Sequence, residues 1–375
     1  MVLEDRYPFG MEIVTSSRDP VGGTGPQDAS PCPAGPDDAA TEPFPAAGTA
    51  CRTWADELRL AVRETPQLLS ALGLATKDFP GLPDPPPDEF SLFAPWPFIR
   101  KMRPGDPHDP LLRQVLPVAD ERNRPPGYVL DPVGDLAARQ APGLLHKYHG
   151  RALLVVTGAC AIHCRYCFRR HFPYSEAAGP STWDAALEAI SGDSSIEEAI
   201  LSGGDPLVLP DHVLAGLVER LDAIGHLRRL RVHTRLPVVI PQRVTEELIG
   251  WLRGTRLTSV VVVHVNHPQE VDAPTAAAFR KLAAAGLPLL NQAVLLAGIN
   301  DHVQTLAELS CRLIEAGVLP YYLHQLDRVA GAAHFEVPET TGRRLIEELR
   351  ARLPGYAVPR YVRETPGRSS KTPLA

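Results

Sequence analysis

Three cysteines fall within one short stretch, Cys160-Ala-Ile-His-Cys164-Arg-Tyr-Cys167. Thiolates are soft ligands, and three on a tight loop can grip three corners of a [4Fe–4S] cube. The usual cube has four thiolates. Three leave one iron open to a reactant, as an open position does at a catalytic metal. A structural zinc site or an electron-transfer cluster are the alternatives that this spacing also allows. Both normally want a fourth ligand, which Cys32, Cys51 or Cys311 could supply. Further on, Ser202-Gly203-Gly204-Asp205-Pro206 would in isolation be an ordinary turn.

Both motifs need a scaffold, and the flanking pattern describes one. The cysteine loop follows directly on an apolar run, Ala152–Thr157, and the glycine motif follows on Glu198–Ser202. Similar β-branched or apolar runs recur at Leu230–Thr234, Ser259–Val265, Leu287–Val294 and Val318–His324. Between them, helical spacing predicts helices near Trp183–Ile190, His212–Ile224, Thr245–Leu252, Pro274–Ala285 and Val303–Ala316, with a last one around Glu339–Arg352. Strands alternating with helices and joined by short connections indicate a parallel sheet with helices outside. An open doubly wound sheet and a barrel or partial barrel both satisfy that pattern, and both place chemistry after the C-terminal ends of strands.

Upstream, Trp54–Leu74 has helical spacing with Pro66 as a break, followed by a Pro-rich connector, Pro80–Pro87, and an irregular segment to about Gly143. Much of the chain's unusual proline content, 39 residues, lies near the N-terminus. The stretch from about Met11 to Ala50 shows no helix or strand period and is expected to be disordered. A net charge of −6 gives no reason to expect nucleic-acid binding. No apolar run approaches the roughly 18 residues that span a bilayer. Met1–Gly10 has no secretory character, so a cytoplasmic location is expected. Three cysteines crowded together then suit metal ligation better than disulfides.

The loop after the first strand of a βα series, with an aromatic Tyr166 before its third cysteine, resembles the radical S-adenosylmethionine superfamily. Ser202-Gly203-Gly204-Asp205 is similar to that superfamily's glycine motif, which contacts the methionine amino group. Longer stretches narrow the resemblance to the lysine 2,3-aminomutase family, nearest the branch that makes β-lysine for elongation factor P. These are Leu144–Glu176, Leu201–Leu207, Val265–Asp272, Leu289–Asp301, Pro320–Phe335 and Ser370–Leu374. The resemblance runs from about Trp54 to the C-terminus. It implies an α/β fold, a partial (βα)6 radical-SAM barrel with an N-terminal, mainly helical extension. The expected division is a leader at 1–50, an extension at 51–143, the barrel at 144–355 and a C-terminal segment at 356–375.

The same resemblance implies the chemistry, radical migration of the lysine amino group from Cα to Cβ. It needs the [4Fe–4S] cluster on Cys160, Cys164 and Cys167, S-adenosyl-L-methionine and pyridoxal 5′-phosphate. Lys371 would anchor the pyridoxal aldehyde, although a lysine so near a chain end is otherwise a solvated charge. Lys147, Tyr148 and Arg151 match phosphate-binding positions, with Lys147 where well-known members carry arginine. Arg169 matches the arginine that pairs with the substrate α-carboxylate. Asp327 and Glu364 match the two acids that receive the ε-ammonium, Glu364 standing where aspartate is usual. His264 and Gln292 match positions that help hold S-adenosylmethionine. The stand-alone aminomutases continue past their pyridoxal lysine into a cysteine-bearing zinc segment. No cysteine follows Cys311 here, so no zinc is expected, and a homo-oligomer different from theirs is. The implied partners are L-lysine, a one-electron reductant such as flavodoxin or ferredoxin, and a separate ligase acting on elongation factor P.

Overall fold

The computed structural model describes residues 52–79, 82 and 90–375. The expected leader with Cys32, together with Cys51 and most of the Pro80–Pro87 connector, lies outside those residues. Within them a single sheet forms the wall of the molecule. Its strands are β1 Arg139–Ala141, β2 Leu144–Tyr148, β3 Arg151–Thr157, β4 Glu198–Gly203, β5 Arg229–Thr234, β6 Thr258–Val263, β7 Leu289–Val294, β8 Leu319–His324, β9 Arg360–Arg363 and β10 Thr372–Pro373. They pair in sequential order. Strands β3 to β9 are parallel, β1 and β2 precede them as an antiparallel ribbon, and β10 returns antiparallel to β9.

Sequential order decides between the two folds that the sequence pattern allows. A doubly wound sheet reverses its order partway, whereas strands added one after another on the same side curl into a barrel wall. The fold is therefore a partial barrel. The strand sequences suit it: β4 is buried at every position, and β6 carries four consecutive valines. Strands covered on both faces need such runs. β5 differs, since Leu230, Val232 and Thr234 are buried while Arg229, Arg231 and His233 alternate with them. That alternation sends Arg231 and His233 toward the cavity they line.

The six expected strands lie within about two residues of their expected ends. β9 and β10 were not expected, because Arg-Tyr-Val-Arg between prolines is too short and too charged to stand out. Trp54–Leu74 divides into helices Trp54–Arg59 and Thr65–Ala71, and Pro66 begins the second rather than breaking it. The extension is not a separate body, for Phe93, Phe98, Ile99 and Leu111 share one core with β3 to β7. A second core around Leu323, Leu345, Ile346 and Tyr361 also takes in Leu374. Among the described residues no helix is long and apolar enough to cross a membrane.

The tail hairpin sets one position that matters below. Thr372 pairs with Arg363 and Pro373 with Val362, the Leu374 amide donates to the Tyr361 carbonyl at 2.8 Å, and the Leu374 side chain is 6% exposed. One step outward in that register, Lys371 meets Glu364, and the two form an ion pair.

Candidate active site

Packing around the cysteine loop begins with β3. After its last residue the chain turns against β4, with the Gly204 amide donating to Thr157 and the Asp205 amide to Ala159, each at 2.8 Å. Gly203 has φ +121°, a conformation glycine tolerates, and a Cβ on Gly204 would collide with the Ala159 carbonyl. The glycine motif therefore brings two backbones into contact. From the outside, buried Arg165 donates to Glu121 Oε1 at 2.7 Å and to the Phe90 carbonyl at 2.6 Å, while Arg170 reaches Glu121 Oε2 at 2.7 Å. Residues of the extension thus clamp the loop from behind.

Cys160, Cys164 and Cys167 all line one cavity of about 880 Å³. Burial, together with Cys167 and Cys164, pushes the Cys160 thiol well up, and burial with Cys164 takes Cys167 up to about 11. These donors repel one another as thiolates, and bound iron supplies the positive charge that relieves it. Among the described residues, no group of three or more His, Cys, Asp or Glu side chains is gathered as a single ion would need. A soft, three-thiolate donor set at a cavity wall fits a cube with one open corner.

Cys311 is exposed and lies outside this cavity, whereas the residues matched to cofactor and substrate positions line it, including Lys147, Tyr148, Arg151, Ser202, Gly203 and Gly204. So do Asp205, His264, Gln292, Asp327, Glu364 and Lys371, and Arg169 with them. The geometry adds how they are connected. Glu364 binds Lys371 and accepts the Tyr148 hydroxyl proton at 2.6 Å, with Lys147 at 3.5 Å. Burial works to raise Glu364, but Lys371, Tyr148 and Lys147 outweigh it and hold the carboxyl below its usual range. Asp327 behaves oppositely. Burial, reinforced by Glu364, pushes it up to about 7 against the pull of Lys371 and Lys147. Two acids near one another with separated pKa values are poised to share a cation unequally.

Asp205 is also engaged within the protein. Its buried carboxylate accepts from Thr234 Oγ1 at 2.7 Å, the Arg235 amide at 2.6 Å, and the Leu236 and Leu207 amides at 3.1 Å each. It therefore fixes the turn after β5 while lining the cavity beside Ser202, Gly203 and Gly204.

Sequence reasoning missed Asp135, His233, Arg235 and His324. Asp135 is buried and links the two expected anion-binding cations: Arg169 Nε donates to Oδ2 at 2.6 Å, and Lys147 Nζ stands 2.6 Å from Oδ1. Burial alone would raise Asp135, but Arg169 and Lys147 hold it at about 2. Arg169 also donates through Nη1 to Ser202 Oγ at 3.2 Å. Its sequence context, Asp131-Pro-Val-Gly-Asp135, reads only as a turn. His233 and His324 lie at or near the ends of β5 and β8, a placement that the strand pattern alone could have flagged. The Nε2 atoms of His233, His264 and His324 are buried without a protein partner. Burial lowers each one, His264 to about 4, so they face the cavity as neutral imidazoles. Orphaned polar atoms of this kind suit a polar ligand.

The chain is similar to several known proteins. Residues 149–230, which hold the cysteine loop and the glycine motif, match the family model of the 4Fe-4S single cluster domain. L-lysine 2,3-aminomutase of Escherichia coli (strain K12) is 51% identical over 286 residues, 76% of this chain and 83% of that one. L-lysine 2,3-aminomutase of Haemophilus influenzae is 46% identical over 322 residues, 86% of this chain and 95% of its own. Among solved structures, Streptococcus suis SuiB bound to S-adenosylmethionine is 14% identical with a TM-score of 0.44, over 58% of this chain and 51% of that one.

Proposed function

The chain belongs to the lysine 2,3-aminomutase family, and we propose that it isomerises L-lysine to β-lysine by radical 1,2-migration of the amino group. One observation carries the reading: a single cavity joins the three cysteines to a lysine, Lys371, that stands beside two acids of unequal strength. When bound, the cluster with S-adenosylmethionine supplies a carbon-centred radical, and pyridoxal phosphate an electrophilic aldehyde that can hold the migrating nitrogen.

The side chains divide the remaining tasks. Lys371 would anchor the aldehyde, with Lys147, Tyr148 and Arg151 toward the phosphate. Arg169 presents its guanidinium to the α-carboxylate, and Asp135 holds that guanidinium through Nε. His264 and Gln292, which line the same cavity, would help hold S-adenosylmethionine. Glu364 already holds one ammonium, that of Lys371. An ammonium is thus a charge this acid can hold, and Glu364 with Asp327 would take the substrate's ε-ammonium in exchange for that of Lys371. The substrate end-groups would thus be held by side chains whose charges already balance one another in the cavity wall.

Two measurable consequences arise here. Lysine should bind better as pH rises, because its ε-ammonium needs Asp327 ionised and that carboxyl titrates at about 7. For a single ionisation of this kind, KM should fall roughly tenfold between pH 6 and 8. Asp327→Asn should weaken binding and flatten the profile; an unchanged slope in that variant would assign the titration elsewhere. Asp135→Asn should raise KM for lysine by roughly 10- to 100-fold by loosening Arg169, with iron content unchanged. Steady-state kinetics beside iron analysis checks this.

The direct test is an anaerobic assay with lysine, S-adenosylmethionine, pyridoxal phosphate and a reductant. Wild-type protein that makes no β-lysine overturns the reading. We assign the cellular electron to a flavodoxin or ferredoxin in the cytoplasm, and the product to a ligase that modifies elongation factor P. Deleting the gene should then remove the β-lysyl mass from that factor, and an unchanged mass would redirect the product, for example to β-lysine-containing peptides.

A further inference from the structure

Arg235 makes a contact that substrate binding does not use. It follows β5 directly, in the turn that Asp205 fixes through the Thr234 hydroxyl and the Arg235 and Leu236 amides. Its Nη1 donates to Cys164 Sγ at 2.7 Å. Nη2 donates to Gln114 Oε1 at 2.6 Å and to Glu270 Oε2 at 3.0 Å. The rings of Phe98 and Tyr166 flank the guanidinium carbon at 5.3 and 5.7 Å. Arg235 is 5% exposed, and Gln114 and Glu270 are fully buried.

Each of those partners is itself fixed. Glu270 Oε1 accepts from the Asn266 and His267 amides at 3.0 Å each and from Gln114 Nε2 at 3.1 Å. Gln114 comes from the N-terminal extension, Glu270 from the segment after β6 and Cys164 from the loop after β3. Three separate parts of the chain thus converge to hold one cation against one ligating sulfur. A buried arginine is costly unless its charge is matched, and Glu270 supplies one matching carboxylate. The Cys164 thiolate supplies the second negative charge once it is a cluster ligand.

We propose that Arg235 sets the reduction potential of the [4Fe–4S] cluster, raising it through a charged hydrogen bond to the Cys164 thiolate. Reduction transfers one electron from an external donor to the cluster, which passes from the 2+ to the 1+ state without a covalent bond changing. The electron adds negative charge beside a fixed positive one in a water-poor setting, so the reduced form gains more than the oxidised form. Arginine suits the task because it stays charged at every accessible pH. The proposal rests on the cluster alone, not on the identity of the substrate.

The experiment uses full-length protein reconstituted anaerobically with iron and sulfide, its loading verified by iron analysis. The cluster's midpoint is read by redox titration with electron paramagnetic resonance of the reduced state. Arg235→Gln should shift the midpoint to more negative values, by about tenfold in the oxidised-to-reduced ratio at fixed donor potential, which is 59 mV for one electron. Arg235→Lys, which keeps the charge, should recover part of the shift. Loaded variants with the wild-type midpoint overturn the proposal, as does an equal shift in both. Wild-type protein grown with ¹⁵N-arginine gives an arm free of any folding defect. Its reduced cluster should show a ¹⁵N hyperfine coupling by electron–nuclear double resonance that Arg235→Gln lacks; a wild-type spectrum with no such coupling overturns it equally.

Discussion

Lys371→Ala should reduce β-lysine formation by roughly a thousandfold or more, the scale of losing a residue that forms a covalent link in the reaction. It should also abolish the absorbance of a bound aldehyde while leaving iron content and reductive cleavage of S-adenosylmethionine intact. The cysteine loop and its bracing by Arg165, Arg170 and Glu121 do not involve the tail, so the cluster should be indifferent to the change. One complication is local: Glu364 would lose its ion-pair partner and keep only Tyr148 and the more distant Lys147. Lys371→Arg separates the two effects. It preserves a cation for Glu364 but cannot bond to an aldehyde, so thermal stability should return without activity. Full activity in either variant would remove Lys371 from the reaction.

Gly204→Ala should be nearly as damaging, without touching a ligand. The added Cβ would be driven into the Ala159 carbonyl, which lies between β3 and Cys160. To make room, the loop must move off β4 and stretch the paired hydrogen bonds from Gly204 to Thr157 and from Asp205 to Ala159. Overpacking of this kind costs about 1–3 kcal/mol, and iron loading should fall by roughly 5- to 150-fold if the cost falls on the loaded state. Gly216→Ala is the matched control. Gly216 lies in the helix Asp211–Asp222 with nothing near its missing Cβ, so alanine there should load iron like the wild type. Iron per chain after reconstitution, measured for both variants, decides it. Equal loading would mean that the close approach of the two backbones is not needed to form the cluster site.

Much of the scaffold was legible because parallel strands bury both faces and so leave unbroken apolar runs. Val260–Val263 in β6 and Leu153–Val156 in β3 needed no structure to be seen. The cysteine loop was equally plain, since its chemistry lies in local spacing. Lys371 was different. Nothing local distinguishes it, and its place in the cavity depends on the β9–β10 register and on buried Leu374. Only a resemblance to relatives could point there. Asp135 and Arg235 were invisible for a related reason. Their partners are distant in sequence, Arg169 and Lys147 for the first, Cys164, Gln114 and Glu270 for the second. A charge pair joined only by folding leaves no period to read. Glu364 held a surprise of another kind, since the acid expected for substrate is bound to Lys371.

The wall also has an unclosed side, and what spans it is informative. The ribbon β1–β2 and the hairpin β9–β10 stand at the two margins of the curved sheet, and among the described residues no backbone ladder joins them. Instead Tyr148, Lys147 and Glu364 reach across, with Lys371 beside them. The barrel is therefore buttoned rather than welded, and its buttons are the groups that ligands would use. A phosphate drawing on Lys147 and Tyr148, or an ammonium drawing on Glu364, would undo one fastening as it makes another. Entry and closure then become a single exchange of partners at the seam, with no separate moving flap required.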